Sequence, residues 1–188
     1  MKIISANLNG IRSAAKKKFF DWMAKQNADF VCVQELKAQQ ADMTAEFLAP
    51  AGFHGHFHYA EKKGYSGTGV YSRLKPSAVT IGFGNEEFDA EGRYVQCDFD
   101  KLSVISLYSP SGSSSDERQQ AKFRFMDAFM PHLDSLRQSG REIVICGELL
   151  TEGQIEGVQT TLLGGRDGAR LEGREVAREA LSIVDMER

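Results

Sequence analysis

Four polar side chains each follow directly on a short apolar run, at the point where a β-strand is expected to end. They are Asn7, Glu35, Tyr108 and Glu148. Because ligands of α/β sheets gather beyond the carboxyl ends of the strands, we expect these side chains to converge at one edge. Two carboxylates, an amide and a phenol would form an oxygen-rich site suited to a hard cation such as Mg²⁺. Such a cation assists phosphodiester chemistry, since it polarises a phosphoryl oxygen and lowers the pKa of a bound water.

The pattern by itself leaves a second interpretation open. Polar residues also close buried strands simply because the chain reaches the surface there. A separate candidate cluster, formed by His54, His56 and His58, falls on one face of a strand if HGHFH is extended. A structural zinc site takes four ligands, usually in paired clusters, and nothing nearby completes the set. We therefore expect no metal role for these histidines.

The elements that would position the four polar residues alternate between short apolar runs and longer helical patterns. This alternation is typical of an α/β protein. Strands are predicted at KIISAN, FVCVQE, GHFHYAE, GTGVYSR, SAVTIGF, RYVQCDF, LSVISLY and EIVIC. Helices are predicted over residues 12–26, 41–48 and 113–138. We assign these elements to one domain, residues 1–150.

Residues 151–188 differ in composition from the rest of the chain. They contain six glycines and none of the 18 aromatic residues, the last of which is Phe129. We predict a tail of loop in which only residues 175–184 carry the pattern of a short amphipathic helix. The tail also carries the excess of acidic side chains, so residues 1–150 are neutral overall. Net charge therefore gives no electrostatic argument for nucleic-acid binding.

The bulk properties bound the class of protein and its compartment. A chain of 188 residues suits one domain with a full core. No apolar run approaches the ~20 residues that span a bilayer, and the amino terminus is too polar for a signal peptide, so no membrane contact is expected. Cys32 and Cys146 lie inside apolar runs and are predicted to be core residues rather than disulfide partners. A reducing cytoplasm is the expected location.

The stretch NLNGIRSAAKKKFFDWMAKQNADFVCVQELKA resembles the opening of the exonuclease III family of Mg²⁺-dependent DNA-repair nucleases, which includes bacterial abasic-site endonucleases. The similarity continues through GYSGTGVYSRLKP, EGRYVQCDF, SLYSPSG and KFRFMDAF, and so covers residues 1 to about 147. It implies an α/β fold with a two-sheet sandwich flanked by helices and assembled from two similar halves. It also implies Mg²⁺ or Mn²⁺ as the cofactor and double-stranded DNA as the partner.

The resemblance assigns roles to individual residues. Asn7 and Glu35 match the positions that hold the metal, and Tyr108 matches a tyrosine near the scissile phosphate. Arg93 and Gly67 fall in segments that lie near the DNA backbone.

Two adjacent lysines, Lys62 and Lys63, are further candidates for phosphate contacts. The alternative is that they lie in a solvated turn without a binding role.

The chain departs from the family pattern at the end of the EIVIC strand. The pattern there is Gly-Asp-x-Asn, whereas this chain has Gly147, Glu148, Leu149 and Leu150. Glu148 thus stands where the family's aspartate aligns the attacking water or acts as its base. Its extra methylene moves the carboxylate by about 1 Å, a displacement that can cost about 100-fold in rate. Leu150 cannot form the hydrogen bond of the asparagine.

The family's second half, with its carboxyl-terminal Ser-Asp-His, has no counterpart, since no histidine follows His132. We therefore predict an incomplete carboxyl-terminal half and impaired catalysis. The alternatives are a non-catalytic nucleic-acid-binding or regulatory derivative, and a truncated relic. A sheet without its second half would expose an apolar face, which predicts marginal stability or self-association.

Overall fold

The computed structural model describes residues 1–110 and 115–148, together with three short strands beyond them. The strands are β1 Ile3–Asn7, β2 Phe30–Gln34, β3 His54–His58, β4 Thr68–Ser72, β5 Ala78–Ile81, β6 Tyr94–Phe99, β7 Leu102–Tyr108, β8 Glu142–Glu148, β9 Arg170–Leu171, β10 Arg174–Glu175 and β11 Ala180–Ser182. The α-helices are α1 Ile11–Lys16, α2 Phe19–Lys25, α3 Ala45–Leu48, α4 Glu86–Asp89 and α5 Asp116–Gln138. All eight strands predicted within the first 148 residues are present.

The strands form two main sheets. The first has the order β11-β1-β2-β4-β3, and the second has the order β5-β6-β7-β8. In the first sheet β1 is parallel to β2, and in the second β7 is parallel to β8. The carboxyl ends of each parallel pair therefore lie side by side, as the clustering of Asn7, Glu35, Tyr108 and Glu148 requires.

The two sheets pack face to face. Their contact is a cluster of buried side chains drawn from both sheets: Ile3, Phe30, Cys32, Val70, Val95, Cys97, Val104, Val144 and Cys146. A polar link crosses the same interface, where the Gln34 Nε2 group donates to Ser106 Oγ at 3.0 Å. The protein is thus a two-sheet α/β sandwich, as the resemblance implies.

Helices cover the outer faces of both sheets. Phe19 and Met23 of α2 are buried in the cluster on the outer face of the first sheet. Phe125 and Phe129 of α5 are buried against the second sheet. The prediction of an uncovered apolar sheet face is therefore wrong for the described residues, because residues 1–148 supply eight of the nine strands of these two sheets and both helical layers. Self-association stays a prediction, but it no longer follows from such a face.

Two sequence predictions of helices fail. The helix predicted over 12–26 is divided between α1 and α2, because Lys18 takes a left-handed φ of 67°. In the tail helix predicted over 175–184, residue 175 ends β10 and residues 180–182 form β11 instead, while residues 176–179 and 183–184 lie outside the described residues. β11 pairs in parallel with β1, so hydrogen bonds to that neighbouring strand replace those of a helix. The division of the chain at residue 150 stays a prediction.

All three cysteines, Cys32, Cys97 and Cys146, are free and buried, which confirms the prediction that Cys32 and Cys146 are core residues. A hydrogen bond with Cys146 and then burial raise the pKa of the Cys32 thiol. Burial also raises the pKa of Cys97 to about 12. The Cys32 and Cys97 thiols are therefore protonated and unreactive in the folded protein. Within the described residues, no helix is both long and apolar enough to cross a membrane.

Gly147, directly before the last residue of β8, permits a close approach that no other residue allows. Its φ is +136°, and a Cβ at this position would lie 1.7 Å from the Leu107 carbonyl oxygen. We expect Gly147→Ala to lower the free energy of unfolding by about 3 kcal/mol, since the β7–β8 pairing must shift. Urea unfolding monitored by circular dichroism measures this.

Gly140→Ala is the matched control for this substitution. Gly140 also has a positive φ, +71°, but a Cβ there has nothing within 4 Å. It should therefore cost only the backbone strain, about 1 kcal/mol. Equal losses for the two variants would show that the contact with Leu107 is unimportant.

Candidate active site

The four polar residues predicted from the sequence lie at strand ends on one edge of the sandwich. Asn7 is the last residue of β1, and Glu35 follows the last residue of β2. Tyr108 and Glu148 end β7 and β8, where the parallel register places their backbones opposite each other. The strand ends of both sheets thus contribute to this site.

Glu35 is the centre of the hydrogen bonds at this edge. Its Oε1 atom accepts from Asn7 Nδ2 at 2.8 Å and from the Tyr108 hydroxyl at 2.9 Å. Its Oε2 atom forms an ion pair with Lys37 Nζ at 2.8 Å. Three different segments of the chain therefore fix the position of one carboxylate.

The charge of Glu35 is set by two opposed effects. Burial raises the pKa of this carboxyl group, since its side chain is only 18% exposed. Hydrogen bonds from Asn7, Lys37 and Tyr108 act in the opposite direction, and together they hold the pKa below its ordinary value. Glu35 is therefore a carboxylate at neutral pH.

The backbone around Glu35 is strained. Glu35 and Lys37 have left-handed φ angles of 55° and 47°, which residues other than glycine rarely adopt. The segment that precedes β4 holds this turn in place. The Leu36 amide donates to the Gly67 carbonyl at 3.1 Å, and the Lys37 amide donates to the Ser66 carbonyl at 2.8 Å. Gly67 itself has a φ of +88°, and a Cβ there would lie 3.0 Å from the Leu36 Cβ. Such strain is typical of functional sites.

Arg93 contacts Tyr108, and it is buried, with 3% of its surface exposed. Its guanidinium donates to Glu91 Oε2 at 2.5 Å, to the Tyr108 carbonyl at 2.8 Å and to the Tyr65 hydroxyl at 3.1 Å. The same group lies 5.1 Å from the centre of the Tyr108 ring. In this structure Arg93 supports two tyrosines, and its predicted position beside a DNA backbone stays a prediction.

Lys62 and Lys63 lie in the loop that precedes Gly67, and both are exposed. The Lys62 ammonium is 5.4 Å from the centre of the Tyr65 ring. This places a cation and an aromatic ring side by side in this glycine loop, residues 62–67. Both lysines are accessible to a phosphate, and their contact with one stays a prediction.

The donors around Glu35 fit a magnesium ion. The site offers a charged carboxylate and the Asn7 amide oxygen, which accepts only the Asn9 amide, at 3.0 Å, among the hydrogen bonds of the described residues. No group of three or more His, Cys, Asp or Glu suited to a metal occurs within residues 1–110 and 115–148. Mg²⁺ needs no such group, because it keeps several waters and binds through one or two carboxylates together with substrate phosphates.

Sequence reasoning missed three residues of this site: Asn9, Lys37 and Tyr65. Lys37 and Asn9 meet through a hydrogen bond of 2.5 Å between Nζ and Oδ1. A lysine two places after Glu35 and an asparagine two places after Asn7 were visible signals. Their contact depends on left-handed φ angles at Asn9, Glu35 and Lys37. Such angles cannot be predicted from the sequence where the residue is not a glycine.

Comparison with known proteins gives one family and several similar proteins. Residues 4–147 match the endonuclease/exonuclease/phosphatase family. An exodeoxyribonuclease of Bacillus subtilis (strain 168) is 35% identical over 150 residues, which cover 79% of this chain and 58% of the relative. A DNA-(apurinic or apyrimidinic site) endonuclease of Dictyostelium discoideum is 34% identical over 151 residues, with 79% and 41% covered.

The fold is also similar to a solved structure. An AP endonuclease from Archaeoglobus fulgidus superposes with a TM-score of 0.68 and 25% identity, over 77% of this chain and 55% of that one. The chain spans about half the length of the curated relatives it matches.

Proposed function

Since the chain belongs to the endonuclease/exonuclease/phosphatase family, we propose that it is a Mg²⁺-dependent DNA phosphodiesterase of the exonuclease III type. Its proposed substrates are abasic sites and 3′ ends in double-stranded DNA. The names of the two relatives, an exodeoxyribonuclease and an abasic-site endonuclease, support this substrate class. The observation that carries the proposal is the ionised Glu35 carboxylate, fixed by Asn7 and Tyr108 at the shared edge of both sheets.

Glu35 and Asn7 are the residues that would hold the metal. Mg²⁺ or Mn²⁺ bound there would neutralise charge on the phosphoryl oxygens and help the leaving oxygen to depart. The Tyr108 hydroxyl keeps Glu35 in position and lies at the same edge as the phosphate would. Arg93 donates to the Tyr108 carbonyl and lies over the Tyr108 ring, so the phenol has a fixed orientation.

DNA would approach over the glycine loop. The exposed Lys62 and Lys63 are proposed to neutralise phosphates there, while Gly67 lets the loop lie close to Leu36. Tyr65 of this loop contacts the buried Arg93, because its hydroxyl accepts from that guanidinium. A DNA contact made by the loop would therefore be linked, through Tyr65 and Arg93, to the position of Tyr108.

We further propose that catalysis by this chain is impaired. Glu148 and Leu150 stand where the family pattern has the aspartate that aligns water and the asparagine that holds the phosphate. The longer carboxylate and the apolar side chain both weaken the step in which water attacks. The same two residues favour a second candidate function, a non-catalytic protein that binds DNA without cutting it.

Removal of the metal tests the proposed function. An abasic-site duplex labelled at one end is incubated with the full chain in Mg²⁺, in Mn²⁺ and in excess EDTA. We expect slow cleavage that EDTA abolishes and that added Mg²⁺ restores, because Glu35 and Asn7 carry no positive charge and only the cation that they would hold can neutralise the phosphate. Duplex binding without cleavage in either metal would contradict the enzyme and favour the second candidate.

A further inference from the structure

The Lys37 ammonium contacts Glu35 Oε2, a carboxylate oxygen at which a metal ion would bind. Its Nζ atom is 2.8 Å from Glu35 Oε2 and 2.5 Å from Asn9 Oδ1. The other oxygen of Glu35 already accepts hydrogen bonds from Asn7 and Tyr108. A divalent cation that binds Glu35 therefore meets the Lys37 ammonium at the one carboxylate oxygen without those two bonds.

The backbone of Lys37 is fixed, but its side chain can move. The residue has a φ of 47°, its amide donates to the Ser66 carbonyl at 2.8 Å, and its carbonyl accepts from Arg12 Nη2 at 3.2 Å. The lysine side chain is 36% exposed, twice the exposed fraction of the Glu35 side chain. Its four-carbon stem carries a compact charge that can turn outward into solvent.

We propose that Lys37 is a built-in competitor of the metal ion: its ammonium binds Glu35 Oε2 in the metal-free protein and is displaced when a divalent cation binds. This inference rests on the proposed metal site of the nuclease. The ammonium compensates a carboxylate that would otherwise be half-buried without a counter-charge. The cost of its displacement and its repulsion from the incoming ion both lower the affinity for the metal.

The opposite role for Lys37 makes a different prediction. If the lysine only positioned Glu35 for the metal, its removal would leave the carboxylate less ordered and would weaken metal binding. If it competes, its removal frees Oε2 and strengthens metal binding. The sign of the change in affinity therefore separates the two roles, and it requires no measurement of cleavage.

The test is Mn²⁺ binding to the full chain, measured by calorimetry and by the electron paramagnetic resonance signal of free Mn²⁺. We expect Lys37→Met to lower the dissociation constant for Mn²⁺ by about tenfold relative to the wild type, since one positive charge leaves the site. Lys25→Met, at an exposed position on α2, removes a charge elsewhere and should leave the constant unchanged. Circular dichroism checks that each variant is folded.

Asn9→Gly keeps the test open if Lys37→Met does not fold. It suits the left-handed φ of 45° at this position and removes the second hydrogen-bond acceptor of the ammonium. We expect it to tighten Mn²⁺ binding by about threefold, because Lys37 is then held less firmly.

The outcomes separate this inference from the proposed function. If the wild type binds Mn²⁺ and Lys37→Met binds it equally or more weakly, the competitor role is overturned and the proposed metal site survives. An equal gain in Lys25→Met would also overturn the competitor role, because it would show a general effect of charge. If no protein in the series binds Mn²⁺, both the competitor role and the proposed metal site are overturned.

Discussion

Glu35→Gln is expected to lower cleavage of an abasic-site duplex in Mg²⁺ by about a thousandfold or more. The substitution keeps the length and shape of the side chain but removes the charge that a divalent cation needs. The amide oxygen can still accept from Asn7 and Tyr108, so the hydrogen bonds at Oε1 are retained. The loss therefore reports on charge rather than on folding.

The measurement compares kcat/KM for the variant and the wild type under single-turnover and steady-state conditions. Glu46→Gln is the control, since Glu46 is an exposed residue of α3 and its charge lies outside the site. It should leave cleavage within about twofold of the wild type. A Glu35→Gln protein that retains more than about a tenth of wild-type activity would show that this carboxylate does not hold the metal.

The sequence predicted the strand ends of the site well. Asn7, Glu35 and Tyr108 each follow an apolar run, and the period of those runs locates the end of a strand to within a residue or two. The structure then brings the Glu35 carboxylate within hydrogen-bonding distance of the other two side chains. The resemblance to exonuclease III supplied their chemistry, which periodicity alone left undecided.

The roles of Arg93 and Lys37 could not be predicted in the same way. Arg93 lies in a charged stretch that looks exposed, yet it is buried because Glu91 and the tyrosines satisfy its guanidinium. Lys37 reaches Glu35 only through two left-handed residues in one turn. Neither burial by a distant partner nor a positive φ at a charged residue leaves a periodic signal in the sequence.

The two-sheet sandwich was predicted from the resemblance, but the sequence did not assign the strands to its two sheets. The five strands of the middle of the chain were recognised, but their division between two sheets was not. β3 and β4 join the first sheet, whereas β5, β6 and β7 form the second with β8. Since strand pairing depends on contacts between distant segments, no local pattern distinguishes these two groups. The expectation of an uncovered face followed from this omission.

Glu148→Asp is expected to increase cleavage of the abasic-site duplex by about 10- to 100-fold over the wild type. Residue 148 ends β8, in register with Tyr108 at the edge where Glu35 lies. Because this register fixes the backbone of residue 148, the length of its side chain decides how far the carboxylate reaches toward the phosphate. One extra methylene moves that carboxylate by about 1 Å. The shorter aspartate restores the length found in the family pattern, so water would be aligned for attack more often.

Two further variants test whether the gain comes from the alignment of water rather than from any replacement of glutamate by aspartate. Glu148→Asp combined with Leu150→Asn should be faster still, because asparagine can donate a hydrogen bond to the phosphate where leucine cannot. Glu142→Asp makes the same chemical change at the exposed start of β8 and should not alter cleavage. If Glu148→Asp is no faster than the wild type while Glu35→Gln remains inactive, the length of the carboxylate at 148 does not limit this chain. The proposed impairment would then have to arise outside β8.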